Sequence, residues 1–278
     1  MTVITGQNGS NKSTLLRDLV SALVNPKSSS RVLFVDPSIA APHDVPVICL
    51  SGSAADRFPV KENGGRHTDF DVPNYHYIGQ RVGTNLLSKK RPLESAISFA
   101  FDPTVRERFE WDFYEKAFGF AGLNPLMSLE FVFRTKFRDA MPSVSIRQYV
   151  EQSLRTKSSN KDRSRLSPAT AGYLLETFSE DDFHSLEKIL LEYRHRPFPV
   201  KFGIDYVWRT PELSALRLGM ISNIVSLTNA TVFRKGGAAY SAYELSSGEY
   251  HMLTTILALG SGLVKSHPED DGCSDAYA

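Results

Sequence analysis

Residues 1–20 read MTVITGQNGSNKSTLLRDLV, and residues 6–14, GQNGSNKST, come close to a known loop pattern before departing from it. A loop that cradles phosphate follows the pattern G-x-x-x-x-G-K-[ST]. Gly6 opens such a loop, and Lys12 and Ser13 close it at the required spacing, but Asn11 stands where the pattern has its second glycine. That position needs a backbone conformation most side chains resist, and asparagine is the non-glycine residue that tolerates the left-handed region best. The departure costs on the order of 1 kcal/mol, which ligand binding can offset.

The surroundings suit the loop. TVIT (2–5) is a short β-branched run, and KSTLLRDLVSALV (12–24) places Leu15, Leu16, Leu19, Val20, Leu23 and Val24 at helical spacing, which predicts one buried stripe. Between strand and helix, the backbone of Gly6, Asn8, Gly9, Ser10 and Asn11 would turn its N–H groups toward phosphate, and the helix would offer its positive end. Lys12 would reach the outer phosphates, Ser13 would ligate Mg²⁺, and Thr14 would add a further phosphate contact. A ligand-free glycine turn is the simpler alternative. It leaves unexplained a lysine in the first helical turn, where it opposes the helix dipole.

Composition narrows the class. The 278 residues are 41% hydrophobic and 23% charged with a formal net charge of +1, as in an ordinary globular protein without a global bias toward polyanions. Two cysteines, Cys49 and Cys273, are too few for a disulfide framework or a zinc site. The start lacks the pattern of a secretory signal, and the apolar run at 252–264 is too short to span a membrane. The expectation is a soluble cytoplasmic protein without membrane association.

Further along, RVLFVD (31–36), VPVICLSGS (45–53) and NYHYIGQ (74–80) read as strands, and 54–74 as a polar surface loop. From Pro92 to about Arg196 the pattern is mostly helical: PLESAISFAF, VRERFEWDFYEKAF, SIRQYVEQSLR and SEDDFHSLEKILLEYR, the last capped by Ser179. Shorter strand- and helix-like pieces return between 198 and 243, including ALRLGMISNIVSL and ATVFRKGG. These divide the chain into a nucleotide-binding core part (1–91), a helical lobe (92–196) and a closing core part (197–278).

The closing part holds YELSSGEYHMLTTILALGSGL (243–263), a turn feeding a helix. Alone, its Ser-Ser-Gly-Glu is good helix-capping chemistry. Together with GQNGSNKST it resembles the ATP-binding-cassette superfamily, in particular the branch of structural-maintenance-of-chromosomes, RecF-like and related AAA-type ATPases of DNA repair and phage defence. That family's signature reads L-S-x-G-[EQ], and Leu245, Ser246, Ser247, Gly248 and Glu249 match it position by position. The resemblance implies an α/β fold, a P-loop NTPase core of the ABC type with an inserted helical lobe. It also implies ATP and Mg²⁺ as cofactors, and a head-to-tail dimer in which each signature docks on the nucleotide of the other subunit. A homodimer or a pairing with a related ATPase or effector subunit would satisfy it. Gln80, at the end of YHYIGQ, fits the family's glutamine that touches Mg²⁺ and the attacking water and opens the lobe.

Two features depart from the family pattern. After the signature helix the family places a Walker B strand ending in Asp and Glu, whereas KSHPEDDGCSDAYA (265–278) carries its acidic residues behind no apolar run and reads as a solvated tail. The family's hairpin before the first loop has no counterpart ahead of Thr2. The expectation is a trimmed chain, or one that binds ATP while lacking the parts that hydrolyse it. The alternative function is therefore a non-hydrolysing regulatory or scaffolding subunit. A nucleotide kinase is a third option, which leaves ELSSGE without a role. The segment 134–165, with nine Lys or Arg against three Asp or Glu, offers a possible nucleic-acid contact or a solvated helical face. The seven histidines show no paired metal-ligand spacing, and the aromatics of FEWDFYEKAFGF (109–120) recur at helical spacing as core residues do.

Overall fold

The computed structural model describes residues 12–24, 47–53, 58–59, 75–82, 86–102, 112–133, 144–155, 166, 168–193, 196–202 and 210–266. They form a mixed α/β arrangement with two sheets. Helix α1 (Lys12–Val24) precedes strands β1 (Val47–Leu50) and β2 (Tyr75–Ile78), which pair in parallel from Val47↔Tyr75 to Leu50↔Ile78. Ser51 N–H donates to the Ile78 carbonyl at 3.0 Å and extends the ladder by one step. Three elements expected from sequence periodicity are thus present. The runs TVIT and RVLFVD, most of the 54–74 loop and the tail after Ser266 lie outside the described residues.

β2 is covered on both faces, as strands of a parallel pair generally are. Tyr75 and Tyr77 point into a small cluster with Cys49 and Phe58, against which Val20 of α1 packs. On the opposite face Ile78 joins the main core and His76 stacks on Phe99, ring centroids 4.0 Å apart.

The middle segment is helical over most of its described length: α2 (Arg91–Ala100), α3 (Asp112–Phe120), α4 (Ile146–Arg155), α5 (Pro168–Thr177) and α6 (Glu180–Glu192). Ser179 closes a capping box with Asp182 at the start of α6. The exception to the helical reading is β3 (Leu123–Phe133), the longest described strand. Its Met-Ser-Leu-Glu alternation is a strand signal, preceded by Pro125, which sits where the pairing register shifts between Leu123 and Met127.

β3 is central to a four-stranded antiparallel sheet of order β4-β3-β5-β6, with β4 (Phe198–Lys201), β5 (Val225–Arg234) and β6 (Ala239–Ser241). Gly237, at φ +85°, makes the tight turn from β5 to β6 possible. The middle and closing segments therefore share one sheet. They also share one hydrophobic core, from Ile78 through Leu93, Phe118, Met127, Leu186, Leu216 and Val232 to Leu257. Helix α7 (Thr210–Ile221) crosses it, and its Arg217 pairs with Asp102 at 2.9 Å with both side chains buried. The last described element, α8 (Ser247–Ser266), packs along α2 and α3. No helix among the described residues is long and apolar enough to cross a membrane.

Candidate functional site

Lys12, Ser13 and Thr14 form the first turn of α1, which contains no acidic residue. Lys12 is half-buried, and Ser13 and Thr14 are exposed. A lysine in a first turn that holds no acidic residue runs against the macrodipole. The loop residues Gly6, Asn8, Gly9, Ser10 and Asn11 lie outside the described residues. The predicted buried stripe of α1 needs correction: Leu15 is 56% exposed, and Leu16 and Leu19 are also exposed, while Val20 and Leu23 are half-buried. Among the described residues α1 packs mainly on β1 and the small tyrosine cluster, and this surface leaves part of the stripe uncovered.

Gln80 stands half-buried just past the carboxyl end of β2, the edge at which α/β sheets generally bind ligands. Gly79 before it has no room for a side chain, since a Cβ there would lie 2.3 Å from the Tyr77 hydroxyl. The Gln80 carbonyl accepts from Ser88 N–H at 2.7 Å, and Val82 N–H donates to the Leu86 carbonyl at 2.9 Å. Gln80 therefore roots a short closed loop that leads directly into α2. At the adjacent exit of β1, the Ser51 hydroxyl donates to the Ser53 carbonyl, and a Cβ on Gly52 would meet the His251 ring of α8 at 3.4 Å. The exit of β1 and the first turns of α8 thus come together at Gly52 and His251.

The Tyr77 hydroxyl is buried there without a hydrogen-bond partner. Burial pushes it above the usual phenol range. The nearby Ser51 side chain and Arg81 backbone oppose this shift, although neither forms a hydrogen bond with the hydroxyl.

At the signature, Leu245 packs on the main core while Ser246, Ser247 and Gly248 are exposed. Ser246 is the N-cap. Its hydroxyl accepts from Glu249 N–H at 3.3 Å, and Glu249 Oε2 accepts from the Ser246 N–H at 3.0 Å and from its hydroxyl at 2.8 Å. Arg234, the last residue of β5, donates to Glu249 Oε1 at 2.7 Å. The bonds from the Ser246 hydroxyl and N–H hold the Glu249 carboxyl below its ordinary value, with Arg234 adding to the effect. The capping reading of ELSSGE is thereby met. The same geometry leaves Gly248 with open space around its Cα, so the start of α8 is accessible.

Several residues that sequence reasoning passed over complete this region. Tyr250, next to Glu249, donates from its hydroxyl to the Lys89 carbonyl at 2.7 Å and accepts from Leu93 N–H at 3.3 Å. Lys90 Nζ donates to the Thr228 carbonyl at 2.7 Å and lies 5.1 Å from the Tyr243 ring centre. Arg234 and His251 complete the set. The available signal was slight: Tyr243 and Tyr250 lie seven residues apart on either side of the helix start, but no pattern names their partners.

The described part of the basic segment is α4, whose Arg147 is engaged by Glu151 at 3.0 Å and Glu180 at 3.7 Å. Arg155, at the end of α4, is exposed, and the remaining basic residues from 134 to 138 and from 157 to 165 lie outside the described residues. In α3, Tyr114 and Phe118 are core residues as expected, whereas Phe120 is 88% exposed. For a magnesium ion, Ser13 and Gln80 are the neutral oxygen donors of the candidate set, consistent with the oxygen preference of that ion. No group of three His, Cys, Asp or Glu among the described residues is disposed to hold a metal. No protein-family model, curated protein or solved structure matches the chain.

Proposed function

We propose that the chain is an ATP-binding ATPase domain of the ABC and structural-maintenance-of-chromosomes type. In this reading it pairs around ATP with a second copy, or with a related ATPase or effector subunit, in DNA repair or phage defence. One observation carries the reading: the motif Leu245–Glu249 opens a 20-residue helix with Ser246, Ser247 and Gly248 uncovered, so the positive end of α8 can meet an anionic group from another molecule. The first turn of α1, with Lys12, Ser13 and Thr14, supplies the complementary half. In the paired arrangement the first turn of one copy holds the phosphates that the signature of the other touches. Bound Mg²⁺ would neutralise phosphate charge, with Ser13 and Gln80 as the residues that would hold it.

The second reading is a regulatory subunit that binds nucleotide without turning it over. The test is nucleotide binding, ATP-dependent dimerisation and phosphate release, measured for the native chain and for Lys12→Ala. Binding and turnover that both vanish in Lys12→Ala support the first reading, and binding without turnover supports the second. Absence of binding at millimolar nucleotide sinks both.

A further inference from the structure

Helix α2 begins without a cap of its own. Its N-cap, Lys90, makes no side-chain capping hydrogen bond to the helix, and Pro92 occupies the second helical position. The first N–H groups of a helix have no partner within it, and the one at Leu93 is met from far away in sequence, by the Tyr250 hydroxyl at 3.3 Å. The same hydroxyl donates to the Lys89 carbonyl at 2.7 Å. One phenol oxygen therefore closes both sides of the junction where the Gln80 loop becomes α2.

The connections continue in both directions. Toward Gln80, Ser88 N–H is bonded to the Gln80 carbonyl, and Arg81 bridges to Leu87. Toward the signature, Tyr250 follows Glu249, whose carboxylate holds Ser246. A second clamp, Lys90 on the Thr228 carbonyl and over Tyr243, fixes the same junction to β5. Burial pushes the Tyr250 hydroxyl up to about 12, so it keeps its proton and its ability to donate.

We propose that Tyr250 is a positioning residue that locks the Gln80 loop and the start of α2 to the signature helix, so that a change at either end is transmitted to the other. The proposal deepens the nucleotide-binding reading, and its functional arm rests on that reading. A tyrosine serving only as core packing would act through its ring. One serving as a lock acts through its oxygen. Tyr250→Phe keeps the ring and removes both bonds. Tyr243→Phe is the matched control, because its hydroxyl is buried without a partner and its ring lies beside that of Tyr250, 6.3 Å between centroids.

Hydrogen exchange of the native full chain provides the test. In Tyr250→Phe the Leu93 amide is expected to exchange roughly three- to tenfold faster, the loss of one ordinary hydrogen bond, with no such change in Tyr243→Phe. Unchanged exchange in Tyr250→Phe overturns the lock, whatever the protein binds. Transmission is read without nucleotide by Ser246→Ala, which weakens the signature cap: exchange at Leu93 should rise in the native background and stay flat when Tyr250 is already Phe. Equal responses in the two backgrounds refute transmission. With a non-hydrolysable ATP analogue, protection of 80–90 should reach 246–250 in the native chain and stop short of it in Tyr250→Phe; protection reaching 246–250 in both refutes transmission. If the native chain binds no analogue, the nucleotide reading fails, while the Leu93 and Ser246→Ala results still decide the lock.

Discussion

Arg234 and Glu249 are joined at 2.7 Å between the end of β5 and the start of α8, and the other carboxylate oxygen of Glu249 completes the cap with Ser246. The start of α8 is thus anchored to β5 from outside and capped from within. Ser246→Ala removes the cap hydroxyl and should destabilise the chain by about 1 kcal/mol, seen in calorimetry as a melting temperature lower by about 2–4 °C. Arg234→Ala should lower it less, because the pair is half-exposed and screened. A larger loss for Arg234→Ala than for Ser246→Ala would mean that the anchor, not the cap, holds the helix start.

The same carboxylate sets a pH dependence. Glu249 titrates below its ordinary value of 4.5, chiefly because the Ser246 hydroxyl and N–H bond its charged form. A depressed folded value means that the charged form is favoured in the fold. Its contribution is complete above the ordinary value and disappears as pH falls through the folded value. Carboxyl-carbon NMR should place the Glu249 midpoint under 4.5, with the Ser246 and Glu249 amide signals moving along the same curve. A midpoint at or above the ordinary value contradicts this cap geometry.

Asp102 and Arg217 are buried together, with side chains 6% and 10% exposed. Breaking such a pair leaves a charge stranded in the core and costs about 3–5 kcal/mol. Arg217→Met should therefore shift urea unfolding to markedly lower denaturant, and also removes the guanidinium lying over the Phe178 ring. Adding Asp102→Leu should recover part of the loss by removing the stranded charge. A double variant less stable than Arg217→Met would assign the loss to packing instead.

Gly260 lets α8 approach α3, since a Cβ there would sit 2.6 Å from the Tyr114 ring. Alanine would favour the helix by about 1 kcal/mol on propensity, but the overlap costs about 1–3 kcal/mol. The clash should win, because Tyr114 is fully buried and its hydroxyl is bonded to the Leu257 carbonyl at 3.4 Å. Gly260→Ala should melt below the native chain, and Tyr114→Leu in the same molecule should narrow the difference. Native-like melting of Gly260→Ala would show that the two helices can part at little cost.

Two tyrosines of β2 make opposite predictions. Tyr75 donates to the Pro59 carbonyl at 2.7 Å, whereas the Tyr77 hydroxyl is buried without a partner. Tyr75→Phe should lose about 1 kcal/mol in denaturant titration, while Tyr77→Phe should be neutral or stabilising, because it deletes an unsatisfied group. A loss for Tyr77→Phe equal to that for Tyr75→Phe would reveal a hydrogen bond that the tyrosine makes in solution.

Local patterns carried far in this chain. Apolar spacing located α1, α2, α4 and α6, β-branched and aromatic runs located β1 and β2, and the Ser246–Glu249 interval announced a helix start that is capped as its residue types require. The same reasoning passed over β3, because its alternating stretch lies between helical patterns and follows Pro125. It also overburied α1, because periodicity says which residues could share a face but not whether anything covers it.

Local sequence set the type of most of these elements and the cap at Ser246, because backbone propensity and capping act between residues a few positions apart. The tertiary structure alone decided that β3 would bind the middle and closing segments into one sheet, and that Asp102 would meet Arg217. It likewise decided that the open start of α2 would be closed by Tyr250, 157 residues beyond Leu93. Those pairings satisfy buried polar groups across the core, and a lone donor or carboxylate carries no mark in the sequence of which distant partner will answer it.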